Sequence, residues 1–183
     1  MSHEGVRELD TRACASLKGS LLPKTKGKPS RVIPASSATV LETRLRVRYA
    51  ETDQMNVVYH ANYIVWFEVG RVEFMRQLGI TYKHMEEQDQ MHLPVAEVRC
   101  RFKASARYDD EIVIRTRIQR MRSALLQFGY EIVRAEDGAL LAEGESTHVS
   151  VNAKMEKTPF PEKYMSVFRQ AAGLTSEAQV EAE

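Results

Sequence analysis

The chain of 183 residues carries 26 basic and 25 acidic side chains, which leaves a net charge of +1. This near balance provides no electrostatic basis for binding nucleic acid. No apolar run approaches the roughly 20 residues of a membrane span, and no apolar segment typical of a signal peptide opens the chain, so we expect a cytoplasmic protein.

The chain has only two cysteines, Cys14 and Cys100. Cys100 lies on the apolar face of an alternating segment, so a buried thiol is a better expectation than a disulfide. The histidines His84, His92 and His148 lack the spacing of metal ligands, and no cysteine and histidine pattern typical of zinc is present. We therefore predict that the protein has no metal site.

The first 38 residues differ from the rest of the chain. They hold three of the six prolines and several basic residues, and they contain no aromatic residue. Little in this segment could anchor a hydrophobic core. We therefore predict a flexible tail at residues 1–38, one folded domain at residues 39–172 and a disordered C-terminal tail at residues 173–183.

The folded part is predicted to begin with a strand and a long helix. Apolar and polar side chains alternate over residues 41–49, as in a strand with one buried face. The helix is predicted from about residue 61 to residue 78, and its apolar side chains lie on two nearly opposite faces, which favours a central position. Gly70 costs about 1 kcal/mol in a helix interior, which suggests that another element approaches closely there. Gly79 is a typical helix C-terminal cap.

The rest of the chain is predicted to be mostly strands. After a short helix or turn at residues 81–90, strand-like segments span residues 93–102, 111–120, 124–134 and 139–151, and Glu136-Asp137-Gly138 indicates a hairpin turn. A short helix is predicted at residues 162–172. One strand, one long helix and then a run of strands favour an α+β architecture, with an antiparallel sheet covered by the helix on one face.

The most specific motif joins the first strand to the long helix. It reads Thr-Asp-x-x-x-x-Val-Tyr-His-x-x-Tyr and extends from Thr52 to Tyr63. This motif resembles the acyl-CoA thioesterases of the 4-hydroxybenzoyl-CoA thioesterase type, and the resemblance runs from about residue 41 to residue 160. These proteins have the hotdog fold, in which a curved antiparallel sheet of about five strands wraps around one long central helix.

The resemblance implies hydrolysis of acyl-CoA to the free carboxylic acid and CoA, without a metal or another cofactor. It also implies a homodimer, or a homotetramer built as a dimer of dimers. Asp53 occupies the position of the catalytic carboxylate. The backbone N–H at the helix start, around Tyr59 and His60, occupies the position that polarises the thioester carbonyl. Gln54-Met55-Asn56 departs from the small residues common in related sequences, so the acyl group is left open.

Further residues are candidates for binding the substrate. They are Asn62, Tyr63 and Ser123, together with a basic strand face formed by Arg99, Arg101 and Lys103. The three basic residues suit the phosphates of CoA, but a merely solvated face fits the pattern equally well. Tyr59 is compatible with lining the pocket or with plain packing.

Several alternatives stay open at the level of the sequence. Outside its motif, Asp53 would be interpreted as a turn or N-cap residue. With His60, it could instead form the acid/base pair of a hotdog dehydratase or hydratase. A non-catalytic module that binds acyl-CoA or acyl-carrier protein is a third hypothesis, because one fold can host all three functions. Glu68 and Glu73 lie on the helix that carries the catalytic carboxylate in a second thioesterase subgroup, and we interpret both as structural.

Overall fold

A computed structural model describes residues 38–174. The tails predicted at residues 1–38 and 173–183 lie outside the described residues except for Ala38, Gly173 and Leu174, and Cys14 lies outside them as well. Within the described part of the chain, no helix has the length and hydropathy needed to cross a membrane.

Residues 38–174 form seven strands and three α-helices, of which the first helix is the longest. In chain order the elements are β1 (Leu41–Arg46), α1 (Ala61–Gln77), α2 (Tyr82–Glu87), β2 (Met91–His92), β3 (Val95–Phe102), β4 (Glu111–Arg122), β5 (Leu125–Arg134), β6 (Leu140–Val149), β7 (Val151–Asn152) and α3 (Glu162–Ala171).

Five strands form one antiparallel sheet in the order β1-β4-β5-β6-β3, and β2 pairs with β7 separately. Helix α1 packs against this sheet, where the ring of Phe67 stacks on that of Tyr130 with centroids 4.4 Å apart. Alternate side chains of β5 are buried in the core: Leu126, Phe128, Tyr130 and Ile132. The predicted α+β architecture, an antiparallel sheet of about five strands with one long helix, is confirmed.

Helix α1 lies unusually close to the sheet at Gly70. A Cβ atom at this position would lie 2.7 Å from Cγ2 of Ile114 and 2.8 Å from Oγ1 of Thr116, both on β4. The close approach predicted from Gly70 is therefore present. Gly79 has a φ of +80°, a left-handed conformation that ends the helix as predicted.

The opposite face of α1 differs from its prediction. We expected both apolar faces to be buried, but Val65 is 46% exposed and Ile64 is also exposed in the single chain. The buried face carries the aromatic residues Tyr63, Trp66, Phe67 and Phe74. Among residues 38–174, α1 packs mainly against β1 and β4 of the large sheet, which leaves Ile64 and Val65 uncovered.

Two strand ends were predicted wrongly for local reasons. Tyr49 was placed on a buried strand face, but it begins a 3₁₀ turn and is 78% exposed, because Glu51 accepts a hydrogen bond from the backbone N–H of Arg48 and turns the chain. The last predicted strand is divided at Ser150, whose N–H donates to the carbonyl of Ala124 at 2.9 Å and leaves the β6 ladder.

Cys100 was expected to be buried, but its side chain is only half-buried, because β3 is an edge strand of the sheet. Cys100 is a free thiol, and burial raises its pKa to about 11. The thiol is therefore protonated near neutral pH, as befits a packing residue.

A chain of hydrogen bonds links buried side chains of β5 and β6 to the segment that precedes β3. Tyr130 and Ser146 are joined at 2.6 Å, Ser146 and Nε2 of His148 at 2.8 Å, and Nδ1 of His148 and the Leu93 carbonyl at 3.2 Å. Burial and the positive charge of Arg71 lower the pKa of His148 to about 4, against the hydrogen bond to Leu93. His148 is therefore neutral at pH 7 and donates Nδ1–H to Leu93.

The close approach at Gly70 leads to a prediction about stability. Gly70→Ala gains about 1 kcal/mol of helix propensity, but the new methyl group overpacks the contact with Ile114, which costs about 1–3 kcal/mol. We expect a net loss in the free energy of unfolding, measured with urea. The cost of Gly70→Ala should shrink in an Ile114→Ala background and persist in Ile114→Val, which retains Cγ2. Equal costs in both backgrounds would contradict the steric role of Ile114.

Candidate active site

The connection between β1 and α1 is stabilised by the buried carboxylate of Glu51, a residue that is only 4% exposed. Its Oε2 accepts the backbone N–H of Arg48 at 2.8 Å, and its Oε1 accepts Nη2 of Arg48 at 2.8 Å and Nε1 of Trp66 at 3.1 Å. Burial raises the pKa of Glu51, but the hydrogen bonds from Arg48 and Trp66 together outweigh burial and lower it. Glu51 is therefore ionised and fully paired.

The backbone of Glu51 fixes the start of α1. Its carbonyl accepts the N–H of Tyr59 at 2.9 Å and Nδ2 of Asn62 at 2.8 Å. Asn62, a predicted substrate-binding residue, thus makes a structural contact with the connection. These two bonds join the segment before Asp53 to the residues that begin the helix.

Asp53 lies in a tight turn. Its N–H donates to Val57 at 2.9 Å, its carbonyl accepts the N–H of Asn56 at 3.0 Å, and its Oδ1 accepts the N–H of Met55 at 2.8 Å. Asn56 adopts a φ of +59°, a conformation that asparagine tolerates well. The second carboxylate oxygen, Oδ2, makes no hydrogen bond to any residue between 38 and 174, so the turn orients the carboxylate and leaves one oxygen available.

Asp53 lines a cavity of about 280 Å³. One wall is the turn and the start of α1, and the other is the end of β3 with the residues after it. The lining residues are Asp53, Met55, Val57, Val58, His60, Tyr63, Phe102, Lys103, Ala104 and Ser105. The cavity thus combines one carboxylate and one ammonium group with a mostly apolar floor.

The two walls of the cavity are joined by hydrogen bonds at Ala106. The N–H of Val58 donates to the Ala106 carbonyl at 2.9 Å, and the N–H of Ala106 donates to the hydroxyl of Tyr63 at 3.0 Å. Burial raises the pKa of Tyr63, although the hydrogen bond from Ala106 opposes this effect. Tyr63 therefore stays neutral and clamps the segment after β3 to the helix.

The N-terminus of α1 carries a backbone donor beside the cavity that His60 lines. The N–H of Tyr59 is occupied by Glu51, whereas the N–H of His60 donates to no residue in the described part of the chain. His60 directly precedes the 17 residues of α1, where unpaired N–H groups and the helix dipole favour negative charge. The rings of Tyr59 and His60 are in contact at a tilt of 51°, with centroids 4.3 Å apart, and both side chains are exposed.

The remaining predicted residues lie at different places. Lys103 lines the cavity and pairs with Glu143 at 2.9 Å. Arg99 and Arg101 line a separate cavity of about 300 Å³ on the sheet. Ser123 is exposed in the turn between β4 and β5, and it is not among the residues that line the Asp53 cavity.

Both arginines of the basic strand face are already paired. Arg99 lies 2.7 Å from Glu97 and 3.5 Å from Glu145, and Arg101 lies 3.9 Å from Glu143. Exposed ion pairs of this kind contribute about 0–1 kcal/mol, so a phosphate could displace the glutamates at little cost. Within residues 38–174, no three histidine, cysteine or acidic side chains group as metal ligands.

Sequence reasoning missed two parts of the site. Glu51 was not singled out, although Arg48 and Glu51 have the spacing of a capping box, which could have indicated its role. Phe102 and Ser105 were missed because they reach the cavity only through the pairing of β3 with β6.

Comparison with known proteins gives consistent matches. Residues 47–168 match the family described as the thioesterase-like superfamily. YneP of Bacillus subtilis (strain 168), a candidate acyl-CoA thioesterase, is 36% identical over 64% of this chain and 84% of its own length. The acyl-CoA thioester hydrolase YbgC of Escherichia coli O6:H1 is 33% identical over 73% of this chain and 99% of its own length. The solved structure of the DHNA-CoA thioesterase from Staphylococcus aureus, 27% identical, superposes with a TM-score of 0.71 over 74% of this chain and 93% of that one.

The pairing of Glu51 leads to a prediction that uses the sole tryptophan of the chain. In Glu51→Gln, the amide N–H₂ group must face a donor of Arg48 or Trp66, so at least one hydrogen bond is lost. A buried polar group that is left unpaired costs about 1–3 kcal/mol. We expect lower stability towards urea and an altered Trp66 fluorescence spectrum. Glu136→Gln, an exposed substitution in the turn between β5 and β6, serves as the control.

The pH dependence of Glu51→Gln follows from the lowered pKa of Glu51. The carboxylate contributes its stability above the ordinary pKa of 4.5, and this contribution is lost as the pH falls through the lowered folded-state pKa. The difference in unfolding free energy between wild type and Glu51→Gln should therefore be largest above pH 4.5 and shrink in acid. A difference that grows on acidification would rule out this role for the carboxylate.

Proposed function

Because the chain belongs to the thioesterase-like superfamily, we propose that it hydrolyses acyl-CoA thioesters to the free carboxylic acid and CoA. This membership confirms the resemblance inferred from the sequence. The observation that carries the proposed mechanism is that Asp53 and His60 line one cavity, and that no residue between 38 and 174 accepts the backbone N–H of His60.

The N–H of His60 is the proposed donor to the thioester carbonyl. Negative charge develops on that oxygen as the carbonyl carbon becomes tetrahedral, and a fixed donor at a helix N-terminus stabilises it without reorganisation. The hydrogen bonds from Tyr59 and Asn62 to Glu51 support this role, because they hold the first turn of α1 in place.

Asp53 is proposed to drive the attack on the carbonyl carbon. As a general base, its free oxygen takes a proton from water while the water oxygen bonds to carbon and the C–S bond breaks. As a nucleophile, the same oxygen bonds to carbon, CoA leaves as a thiolate, and water then hydrolyses the anhydride. The hydrogen bond from Met55 to the other oxygen is compatible with both routes.

The residues around the cavity are compatible with separate contacts for the acyl group and for CoA. Met55, Val57, Val58 and Phe102 offer apolar surface for the acyl group near Asp53. Lys103 lies at the same cavity, with Arg99 and Arg101 further along β3, so this basic face is the proposed contact for the CoA phosphates.

The working unit is proposed to be a homodimer, alone or paired into a tetramer. Apolar side chains remain exposed on the outer face of α1 and on the edge strand β3: Ile64, Val65, Val95 and Phe102. Exposed apolar residues on neighbouring elements are typical of an interaction surface. Light scattering of the purified chain tests this assembly.

The sharpest test of the catalytic carboxylate is Asp53→Asn. Asparagine still accepts the hydrogen bond from Met55, so folding should survive, but it cannot act as a nucleophile or a base at neutral pH. We expect kcat for thiol release to fall about 10²–10⁴-fold with little change in KM. The control is Asp109→Asn, at an exposed position with a φ of +68° that asparagine tolerates.

The Asp53 assignment would fail if folded Asp53→Asn kept more than about a tenth of the wild-type kcat. The assay should use short aliphatic, long aliphatic and aromatic acyl-CoA thioesters. Hydration of an enoyl-CoA, measured in parallel, separates hydrolysis from the dehydratase alternative.

A pair of substitutions at His60 isolates the backbone donor. The φ of His60 is −55°, close to the value of about −65° fixed by proline, so His60→Pro removes the N–H with little backbone strain. His60→Ala removes the imidazole and keeps the N–H. We expect His60→Pro to lower kcat about 10²–10³-fold more than His60→Ala. Equal activities of the two folded variants, checked by circular dichroism, would contradict the role of the N–H, and activities equally below that of wild type would assign the contribution to the imidazole.

A further inference from the structure

A second cavity, of about 480 Å³, lies between α1, α2 and the segment that leads into β3. It shares no lining residue with the Asp53 cavity. Arg71 lies eleven residues after His60, which places it roughly 16 Å further along the helix axis. The proposed hydrolysis does not use this second cavity.

Arg71 gives this cavity a buried positive charge. The residue is 7% exposed, donates one N–H to the hydroxyl of Tyr82, and lies with its guanidinium carbon 4.9 Å from the centre of the Tyr82 ring. Among residues 38–174, no carboxylate forms an ion pair with it. A buried arginine normally has a carboxylate partner, and of the five donors of this guanidinium group the residues between 38 and 174 accept only one.

The other walls of the cavity define the shape and charge of a ligand. Val72, Leu93 and Met155 contribute apolar surface, whereas the carboxylates of Glu68 and Glu86 are on exposed residues. The two glutamates repel a dianion such as phosphate about twice as strongly as a monoanion, because the Coulomb energy scales with the charge of the ligand. A single negative charge on an apolar body fits the lining best.

We propose that this cavity binds a monoanionic organic carboxylate, whose oxygens accept hydrogen bonds from Arg71 while its apolar body lies against Val72, Leu93 and Met155. A carboxylate matches the planar fork of a guanidinium group and can accept two parallel N–H bonds from it. The carboxylate supplies the direct ion pair that no residue between 38 and 174 makes with Arg71.

Calorimetric titration of the full chain tests the proposal with matched probes. We expect 3-phenylpropionate to bind with a Kd of about 1 mM or tighter, and 3-phenylpropionamide and inorganic phosphate to bind at least about tenfold more weakly. Equal affinity for the acid and the amide, tighter binding of phosphate, or no binding of the acid would each overturn the proposal.

Variants locate the binding within the molecule. Arg71→Gln should weaken 3-phenylpropionate binding at least about tenfold, and Arg71→Lys should retain part of it. Glu68→Gln should tighten binding by removing a like charge at the cavity, which tests the site even if Arg71→Gln fails to fold. Asp53→Asn should leave the affinity unchanged. Tighter binding in Asp53→Asn would place the ligand in the Asp53 cavity, and unchanged binding in folded Arg71→Gln would exclude Arg71 as its partner. Either result would contradict the proposal, whatever the catalytic result.

Discussion

The side-chain carboxylate of Glu51, in the connection between β1 and α1, accepts three hydrogen bonds. The backbone carbonyl of Glu51 accepts two more. An ionised group this deeply buried is tolerable only when it is fully paired, so the connection has one favourable arrangement. That arrangement brings Asp53 and His60 to the same cavity, even though Gln54, Met55 and Asn56 between them are exposed to solvent.

The position of α1 against the sheet is a second constraint on the same site. Because Gly70 has no side chain, the helix lies directly on Ile114 and Thr116 of β4. The hydroxyl of Tyr63 then reaches Ala106, so the residues that follow β3 form the opposite wall of the cavity. Packing near the middle of the helix thereby sets the geometry at its N-terminus.

The sequence predicted the parts of the molecule that depend on local pattern. The long helix, the close contact at Gly70 and the strand alternation from Leu126 to Ile132 follow from periodicity and from glycine chemistry, and the motif around Asp53 identified the cavity wall. The pairing of distant strands was not predictable from local patterns. Phe102 and Asp53 line the same cavity because of the position of β3 in the sheet, which depends on its pairing with β6. A buried acid such as Glu51 was also hidden, since its neighbours in sequence are polar and its partner Trp66 lies fifteen residues away.

The hydrogen-bonded chain from Tyr130 through Ser146 and His148 to Leu93 has only one consistent direction. Leu93 offers a carbonyl that can only accept, so His148 must donate to it, Ser146 must donate to His148, and Tyr130 must donate to Ser146. Each hydroxyl hydrogen is thus oriented by the backbone of a segment that borders the Arg71 cavity. Withdrawal of the Leu93 carbonyl would leave the buried Nδ1–H of His148 without an acceptor, at a cost of about 1–3 kcal/mol. It would also remove the group that fixes the direction of the hydroxyl hydrogens of Ser146 and Tyr130.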